Sequence, residues 1–160
     1  MAVQRTNVMR ILDQKKISYQ ALSYPHGDSA VDGVTVSQLI GKPVEQVFKT
    51  LIAVGASKKN YVFVIPVAHE LDLKKAAKAA GEKSISMLPV QNLLALTGYV
   101  RGGCSPIGMK KLFPTYIHDS GELPEKIIVS AGKIGSQVEL SPIDLQKLIN
   151  AKFADVIVEE

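Results

Sequence analysis

The stretch Thr97–Lys111 reads TGYVRGGCSPIGMKK, and the rest of the chain is interpreted around it. It places four glycines and Pro106 within fifteen residues. Glycine adopts positive φ and lets a ligand approach the main chain, whereas proline fixes φ and removes an N–H donor. A loop of this composition exposes backbone N–H groups that bind an anion or a carbonyl oxygen. A tight hairpin without any chemistry is the simpler alternative, and the glycine spacing alone does not decide between them.

The composition is that of a soluble globular protein. Of the 160 residues, 46% are hydrophobic and 21% are charged, and one domain spanning residues 1–160 can bury a substantial core. No apolar run approaches the ~18 residues of a membrane span, and the N-terminal stretch lacks the apolar core of a signal peptide. The single cysteine, Cys104, forms no internal disulfide. We therefore expect a cytoplasmic location without membrane association.

The chain offers little support for a metal, a cofactor or DNA as a ligand. Its three histidines lie far apart in the sequence, and one cysteine cannot supply a cysteine-rich zinc site. The net charge of +4 is compatible with a polyanionic partner. With no tryptophan and 6% aromatic residues, a stacking platform for single strands is disfavoured, as is a DNA-reading helix rich in arginine. We expect no cofactor and no bound metal.

Hydrophobic patterning predicts a mixed fold. The apolar stretches Val47–Val54 and Tyr61–Val67, joined by a polar turn, indicate a hairpin. A second predicted strand pair, Lys126–Ser130 and Val138–Leu140, flanks the turn AGKIGSQ. Strands and helices alternate irregularly, and several strands are linked by hairpins. We therefore expect an α+β fold, with a mixed, largely antiparallel sheet flanked by helices.

Local signals predict further elements. Asp72 is a suitable N-cap for a helix over Leu73–Ala80. Thr35 can cap a shorter helix over Val36–Ile40, and Ser141 with the following proline begins the last helix. Additional short strands are expected at 111–113, 115–118 and 154–158.

Lys49 is the most unusual charged residue, because it interrupts an otherwise apolar strand. An unpaired ammonium group is costly to bury. The residue therefore either lies at an edge or outward-facing position of an alternating strand, or lies at the floor of a pocket. In a pocket it would contact a carbonyl or a phosphate. Thr50 beside it adds a hydroxyl on the opposite face of the strand or at the strand's end.

Familiar catalytic motifs are absent from the glycine-rich stretch. Lys110 does not directly follow the second glycine of the pair that a Walker loop requires. A nucleophile elbow centred on Ser105 needs a glycine two residues later, where isoleucine stands. Cys104 would act as a nucleophile only beside a basic partner. Ser130, at the end of a predicted strand with Lys133 nearby, is instead a candidate hydrogen-bond partner for a small ligand.

Four blocks of the sequence together resemble the YbaK/EbsC family, free-standing relatives of the editing domain inserted in bacterial prolyl-tRNA synthetases. The blocks are VFKTL, LDLKKAAKAAG, TGYVRGGCSPIGMKK and VSAGKIGSQVELSP, at residues 47–51, 71–81, 97–111 and 129–142. They occur in the order of the family, and the resemblance extends over essentially the whole chain.

The resemblance implies hydrolysis of the ester between a mischarged amino acid and tRNA, with Cys-tRNA(Pro) and Cys-tRNA(Cys) as the expected substrates. In the cysteine-specific branch of the family, the substrate thiol attacks its own carbonyl and leaves as a cyclic thiolactone. Such an enzyme needs no nucleophile of its own, which agrees with the absence of a recognisable catalytic motif. Its contribution would be positioning and electrostatic stabilisation of the carbonyl oxygen.

The resemblance also assigns roles to individual residues. Catalysis would fall to Lys49 and to the backbone donors Gly102 and Gly103. The expected substrate-binding residues are Tyr24, Thr50, Ser105, Ser130 and Gln137. The tRNA backbone near the 3′ end would be contacted by Lys110, Lys111 and Lys133, and prolyl-tRNA synthetase is considered as a protein partner.

Two positions depart from the family pattern and leave the preferred amino acid open. Gln137 stands where an aspartate is expected, and Asp32 stands where a phenylalanine is expected. A deacylase for another residue, such as alanine on tRNA(Pro), is one alternative, and it would have to position a water. A non-catalytic regulatory or binding module is another, and it would bind its partner without ester turnover.

Overall fold

Two β-sheets and five α-helices make up the computed structural model, which describes residues 5–159. The helices are α1 Asn7–Gln14, α2 Gly33–Ile40, α3 Leu73–Ala80, α4 Leu93–Thr97 and α5 Pro142–Ile149. The strands are β1 Tyr19–Ser23, β2 Phe48–Gly55, β3 Asn60–Pro66, β4 Ile85–Met87, β5 Thr115–His118, β6 Ile127–Ser130, β7 Ser136–Leu140 and β8 Lys152–Ala154. Residues 1–4 and 160 of the predicted domain lie outside the described residues. Within the described range, no helix is long and apolar enough to cross a membrane.

The strands divide into a three-stranded and a five-stranded sheet. The smaller sheet has the order β1-β7-β6 and is antiparallel throughout. The larger has the order β4-β2-β3-β5-β8, in which β2 pairs antiparallel with β3 and β4, whereas β5 pairs parallel with β3 and β8. Both predicted hairpins, β2–β3 and β6–β7, are present. The α+β class with largely antiparallel pairing is confirmed, and the structure adds the division into two sheets.

Alternation along β2 and β3 separates two hydrophobic clusters. Phe48 and Val64 belong to the cluster that also contains β6 and β7 residues and Leu145 of α5. Ala53 and Phe63 belong to the cluster beneath α3. Because successive side chains of a strand point to opposite faces, a strand covered on both faces is apolar at nearly every position. A polar residue within β2 is therefore conspicuous.

Helix ends follow the predicted capping at two places and depart from it at a third. Asp72 accepts hydrogen bonds from main-chain N–H groups in the first turn of α3, and Ser141 caps α5. The cap of α2 is Asp32 and not Thr35, because the Asp32 carboxylate accepts from both the N–H and the hydroxyl of Thr35. A carboxylate at this earlier position satisfies the unpaired N–H groups of the first turn, so the helix begins earlier than predicted.

The predicted strand at 111–113 is wrong. Pairing with β3 begins only at Thr115, opposite Val62. The main-chain carbonyl of Pro114 accepts a hydrogen bond from Val62 at 2.9 Å, but proline has no N–H to return. The ladder therefore cannot extend through Pro114 toward the preceding residues.

The predicted terminal strand at 154–158 is placed too late. The strand that pairs with β5 is β8, and it ends at Ala154. The chain then turns away from the sheet and forms an isolated antiparallel bridge between Ile157 and Leu71. Residues 155–159 consequently lie against the loop that connects β3 to α3.

Candidate active site

A pocket opens beside the start of β2, next to the glycine-rich stretch. Its volume is about 110 Å³, which is room for several water molecules. Its wall comes from β2, from the start of α2, from the glycine-rich stretch and from the ends of β6 and β7. The lining includes six of the residues expected at the site, namely Tyr24, Lys49, Thr50, Gly102, Ser130 and Gln137.

Lys49 and Thr50 are placed on opposite faces of β2. Thr50 lies across from Val64, on the face that packs toward the smaller sheet, and Lys49 lies across from Ile65, on the face toward α3. The strand β4 pairs with β2 only at residues 53–55, so the registered strand neighbour of Lys49 is β3. The Lys49 side chain is 29% exposed, and the residue belongs to the lining of the pocket.

Lys49 is the charged residue among those that line the pocket in the described chain, and none of these lining residues is Asp, Glu or His. The carboxylate paired with it belongs to Glu70, whose Oε1 lies 3.9 Å from the Lys49 Nζ and whose side chain is 85% exposed. Ion pairs at such exposure contribute little to stability. A ligand oxygen that enters the pocket can therefore replace the Glu70 carboxylate.

Polar side chains from three strands provide hydrogen-bonding groups in the same pocket. The Thr50 Oγ1 is buried and has no hydrogen-bond partner among residues 5–159. Ser130 and Gln137 are both buried and stand directly opposite each other on β6 and β7. The Ser130 hydroxyl accepts from the N–H of Gly132 at 3.2 Å, which leaves its own proton available. A buried hydroxyl without a partner costs free energy that a polar ligand group would offset.

Tyr24 is fixed at the end of β1 by its main chain and its ring. Its N–H donates to the carbonyl of Gly135 at 3.0 Å, and its ring packs edge-on against the ring of His26. The His26 ring in turn occupies the position that a Cβ at Gly135 would need. This packing joins the β1 end to the turn between β6 and β7, and it holds the Tyr24 ring in the pocket wall.

The two adjacent glycines differ in what surrounds them. Gly102 has φ of +87°, and a Cβ there would lie 2.7 Å from the Cβ of Ala30. A Cβ at Gly103 would lie 3.2 Å from the main chain of Lys133. Gly102 therefore requires glycine for its backbone conformation and its close contact, whereas a side chain at Gly103 would force the β6–β7 turn to shift by a few tenths of an ångström.

The two adjacent glycines do not both offer a free N–H group at the pocket. The Gly103 N–H donates to the carbonyl of Val100 at 3.0 Å. The N–H groups of Gly102 and Cys104, which both line the pocket, have no hydrogen-bond partner in the described part of the chain. Every residue except proline offers an N–H, so the sequence could not show which neighbouring amides a turn leaves unpaired.

The Cys104 thiol is unreactive although Cys104 lines the pocket. Burial raises the pKa of this thiol to about 12. Since the thiolate is the nucleophilic form, the side chain is unreactive near neutral pH. The lining thus contains a lysine, two residues whose N–H groups are unpaired within the described chain, and the polar residues Tyr24, Thr50, Ser130 and Gln137, but no carboxylate or imidazole among its described residues.

Five predicted site residues are not among the lining residues of the pocket: Gly103, Ser105, Lys110, Lys111 and Lys133. Ser105 is fully buried, and its hydroxyl accepts a hydrogen bond from the N–H of Ile107, so it stabilises a turn. The Nζ of Lys110 donates to the carbonyl of Ala95 at 3.3 Å. Lys111 lines a different cavity, together with residues of α1 and α5.

Lys133, by contrast, is an exposed residue whose main chain packs against Gly103, next to the pocket-lining Gly102. Arg101 is also exposed and immediately precedes Gly102. These two positive side chains are therefore placed at the glycine-rich border of the pocket.

Sequence reasoning missed the part of the pocket wall formed by α2 and by the residue after β3. A Cβ at Gly33 would lie 2.3 Å from the Cγ1 of Val67, so glycine allows the start of α2 to pack directly onto Val67. Both residues line the pocket. Asp32 does not, because its carboxylate caps α2. Its departure from the expected phenylalanine therefore adds no charge to the lining.

Comparison with known proteins identifies the family. Residues 29–148 match the family model of the aminoacyl-tRNA editing domain. The chain belongs to this family. A protein of Enterococcus faecalis (strain ATCC 700802 / V583), named "Putative Cys-tRNA(Pro)/Cys-tRNA(Cys) deacylase EbsC", is 45% identical over 157 residues, which cover 98% of this chain and 96% of that protein.

Solved structures show the same fold. A crystal structure described as "a putative trans-editing enzyme for prolyl tRNA synthetase" superposes with a TM-score of 0.83 at 22% identity, covering 98% of this chain and all of that one (100%). A hypothetical protein of known structure superposes with a TM-score of 0.84 at 21% identity, covering 94% and 99% of the two chains. The predicted family and fold are confirmed, as is the predicted class of enzyme, an aminoacyl-tRNA deacylase.

Proposed function

We propose that this protein removes cysteine from Cys-tRNA(Pro), and from Cys-tRNA(Cys), and that the substrate thiol serves as the nucleophile. The observation that carries the proposal is the composition of the pocket. Lys49 is the charged residue of its described lining, the thiol of Cys104 is neutral, and no carboxylate or imidazole belongs to that lining. The 45% identity to a protein named for these two substrates supports the same choice.

The proposed reaction needs no covalent bond to the enzyme. The sulfur of the bound cysteinyl group forms a bond to its own carbonyl carbon, and the ester bond between that carbon and the ribose oxygen breaks. The thiol proton is transferred, through solvent, to the departing ribose oxygen. The products are free tRNA and a cysteine thiolactone, which water opens afterwards. The enzyme lowers the barrier by holding the thiol near the carbonyl and by stabilising the negative oxygen that forms on it.

The residues of the pocket can divide this work. Lys49 and the unpaired N–H groups of Gly102 and Cys104 would stabilise the ester oxygens or the terminal phosphate. The unpartnered Thr50 hydroxyl and the Ser130 hydroxyl would bind the aminoacyl-adenosine end. Tyr24, Gln137 and the apolar wall would complete the pocket around it. Donors that are already oriented when the substrate arrives need no reorganisation during the reaction.

Contact with the tRNA backbone would involve Lys133 and Arg101, the exposed cations beside the glycine-rich border. Lys110 and Lys111 lie farther along the same stretch and would add long-range attraction. Because such contacts release counterions, binding should weaken as salt is raised. Unchanged affinity in a salt titration would contradict this part of the proposal. Association with prolyl-tRNA synthetase stays a prediction, and co-purification of the two proteins in the presence of tRNA would test it.

The experiment that tests the function measures deacylation of Cys-tRNA(Pro), Ala-tRNA(Pro) and Ser-tRNA(Pro) side by side. The variants are Lys49→Ala and the matched control Lys152→Ala, on β8 at the far edge of the larger sheet. We expect turnover of the cysteinyl substrate, loss of that turnover in Lys49→Ala, and normal turnover in the control.

The other outcomes have defined meanings. Turnover of Ala-tRNA(Pro) in place of Cys-tRNA(Pro) would contradict the thiol-assisted reaction, because alanine has no thiol and a water would have to attack. Tight tRNA binding without any turnover would indicate a binding module. A substrate in which the cysteine sulfur is methylated should not react in the proposed mechanism, and its hydrolysis at the normal rate would exclude it.

A further inference from the structure

The carboxylate of Glu70 is the group that restrains Lys49 in the absence of a ligand. Glu70 lies in the loop between β3 and α3, and its Oε1 is 3.9 Å from the Lys49 Nζ. It does not belong to the pocket lining. Lys49 thus has one side toward the pocket and one side toward a carboxylate outside it. A lysine side chain samples many rotamers, so even a weak partner narrows the region that its ammonium explores.

The main chain that carries Glu70 is anchored to residues 155–159. The carbonyl of Glu70 accepts a hydrogen bond from the N–H of Val158 at 3.0 Å. The N–H of Asp72 donates to the carbonyl of Val156 at 2.8 Å, and the bridge between Leu71 and Ile157 lies between these two bonds. Residues 155–159, which we call the strap, therefore pair with the Glu70 loop along its length.

Lys75 fastens the strap from the other side. Its Nζ donates to the Asp155 carboxylate at 3.0 Å and to the carbonyl of Ile157 at 2.9 Å, and it lies 3.5 Å from the Glu159 carboxylate. Lys75 belongs to α3, the helix that follows the Glu70 loop. The loop is consequently held at its end by α3 and along its side by the strap.

The anchored loop limits how far the Glu70 carboxylate can move relative to the Lys49 ammonium. Were the loop loosely held, Glu70 could follow Lys49 and would compete with the substrate for the ammonium. Since the Glu70 main chain is anchored, its carboxylate can move only as far as its own side-chain rotamers allow, which keeps it on the side of Lys49 away from the pocket lining. The 3.9 Å separation and the 85% exposure of Glu70 keep the pair weak enough for a ligand oxygen to replace it.

We propose that Glu70 is a positioning residue for Lys49, and that the strap acts on the active site by holding Glu70 in place. The kinetic part of this inference rests on the proposed deacylase function. Glu70 touches no reacting atom; it keeps Lys49 near the geometry in which the ammonium meets the developing oxygen charge. Its removal should therefore lower kcat more than it changes KM.

The first test compares Glu70→Gln, Glu70→Asp and the matched control Glu125→Gln, an exposed carboxylate that precedes β6. Because exposed ion pairs are weak, we expect Glu70→Gln to lower kcat for Cys-tRNA(Pro) about twofold to fivefold with KM nearly unchanged. Glu70→Asp keeps the charge but withdraws it by one methylene, so it should fall between the wild type and Glu70→Gln. A lower KM with unchanged kcat would show competition with substrate and would overturn the proposal, as would equal kinetics in Glu70→Gln and the control.

The second test removes the anchor and leaves Glu70 in place. A chain that ends at Ile157 loses the Val158 hydrogen bond to the Glu70 carbonyl. Its kcat should fall by no more than that of Glu70→Gln, and the double variant should resemble Glu70→Gln alone, because both changes remove the same restraint. Losses in kcat that multiply would mean that the strap acts by another route and would overturn the link between them. Melting temperatures recorded in parallel separate this effect from global destabilisation.

A third measurement does not depend on turnover. The side-chain ammonium of Lys49 can be followed in a proton–nitrogen correlation spectrum and assigned by its disappearance in Lys49→Ala. The signal should shift in Glu70→Gln and in the shortened chain, and it should stay in place in Glu125→Gln. If the wild type deacylates none of the tested aminoacyl-tRNAs, the proposed function fails, and this signal still decides whether Glu70 positions Lys49. An unmoved signal in Glu70→Gln would overturn the inference.

Discussion

Lys49 and Lys75 have nearly the same exposure, 29% and 25% of their side chains, but their surroundings differ. Lys75 has two carboxylates and a main-chain carbonyl around its ammonium, and its hydrogen bond to Asp155 raises the pKa of Lys75. Among the described residues, Lys49 has one carboxylate partner, at 3.9 Å, and it belongs to the lining of the pocket. One lysine is fully engaged within the fold, and the other keeps most of its hydrogen-bonding capacity for a ligand.

The difference shows that a partly buried lysine can either stabilise the fold, as Lys75 does, or remain available to a ligand, as Lys49 does. An ammonium that leaves water must regain its hydrogen bonds, and Lys75 regains them from the protein. Lys49 is placed where a bound substrate would supply them. Similar exposure of two lysine side chains therefore does not indicate similar function. The number of their hydrogen-bond and ion-pair partners, and the distances to them, are the better indicator. The following experiments test this contrast, beginning with the largest expected effect.

Replacement of Lys49 should separate activity from stability most clearly. Loss of one group that stabilises a developing oxyanion typically lowers kcat on the order of 10²–10³-fold, and we expect this for Lys49→Ala. The melting temperature should change little, because the ion pair that is lost is exposed. Deacylation kinetics and thermal melts of the same preparation check both parts. A variant that retains activity but melts early would reverse the roles assigned to the two lysines.

Replacement of Lys75 by methionine should give the opposite pattern. The strap loses its hydrogen bonds to the ammonium, and the melting temperature should fall by a few degrees. Activity should fall no further than in Glu70→Gln, since Lys75 acts on the site only through the strap. Asp155→Asn is the matched change at the partner residue and should lower the melting temperature in the same direction. A larger loss of kcat than in Lys49→Ala would contradict the contrast.

The pH dependence of stability should originate at the strap and not at the pocket. His118 is buried, and its Nδ1 accepts from the N–H of Val156 at 3.3 Å. Burial lowers the pKa of His118, although Asp119 and Asp155 act in the opposite direction. Lys75 and His69 also face it, and both disfavour its protonation.

The sign of this effect follows from the lowered pKa. The unfolded chain binds a proton on this histidine at higher pH than the folded chain does. Stability is therefore complete above about pH 6.5, the unperturbed value, and is lost as the pH falls toward the folded pKa. Melting temperatures between about pH 7 and pH 5 should fall in the wild type and fall less in His118→Gln. Equal slopes in the two proteins would exclude His118 as the source.

The smallest effect is expected for Cys104→Ala. With a pKa of about 12, only on the order of one thiol in 10⁵ is ionised at pH 7, so the side chain contributes no nucleophile. Its N–H remains in the variant, and kcat should stay within about twofold of the wild type. The wild type should likewise keep its activity after exposure to iodoacetamide under native conditions. Inactivation by iodoacetamide, absent in Cys104→Ala, would show that the thiol is reactive after all.

Much of the fold follows from local patterns. The hairpin of β2 and β3 was predictable because both strands are covered on two faces and therefore read as apolar runs. The cap of α3 at Asp72 was predictable because a side-chain acceptor directly before a helical stretch typically accepts hydrogen bonds from the free N–H groups of the first turn. The cap of α2 was mistaken because Asp32 and Thr35 both have suitable side chains, and only the path of the chain selects between them.

The candidate site was predictable in part. Lys49 stood out because a charge interrupts an apolar strand, and the structure places it in the pocket. Ser105 was expected to bind substrate and Lys111 to contact the tRNA backbone, but the Ser105 hydroxyl accepts a hydrogen bond from the N–H of Ile107, and Lys111 lines a different cavity. Glu70 gave no signal, because an exposed acidic residue in a loop is ordinary and its meaning depends on a neighbour twenty-one positions away in the sequence.

The sequence by itself determined the α+β class, the main strands and helices, the likeness to an editing-domain family and the unusual position of Lys49. These depend on periodicity, capping and residue type, which are local properties. Only the tertiary structure decided that the strands form two sheets, that the N–H groups of Gly102 and Cys104 have no partner among residues 5–159, and that the strap pairs with the loop of Glu70. Each of these features depends on contacts between residues that are far apart in the sequence. Hydrogen bonds and ion pairs form only at short distances in space, and the sequence does not specify those distances directly.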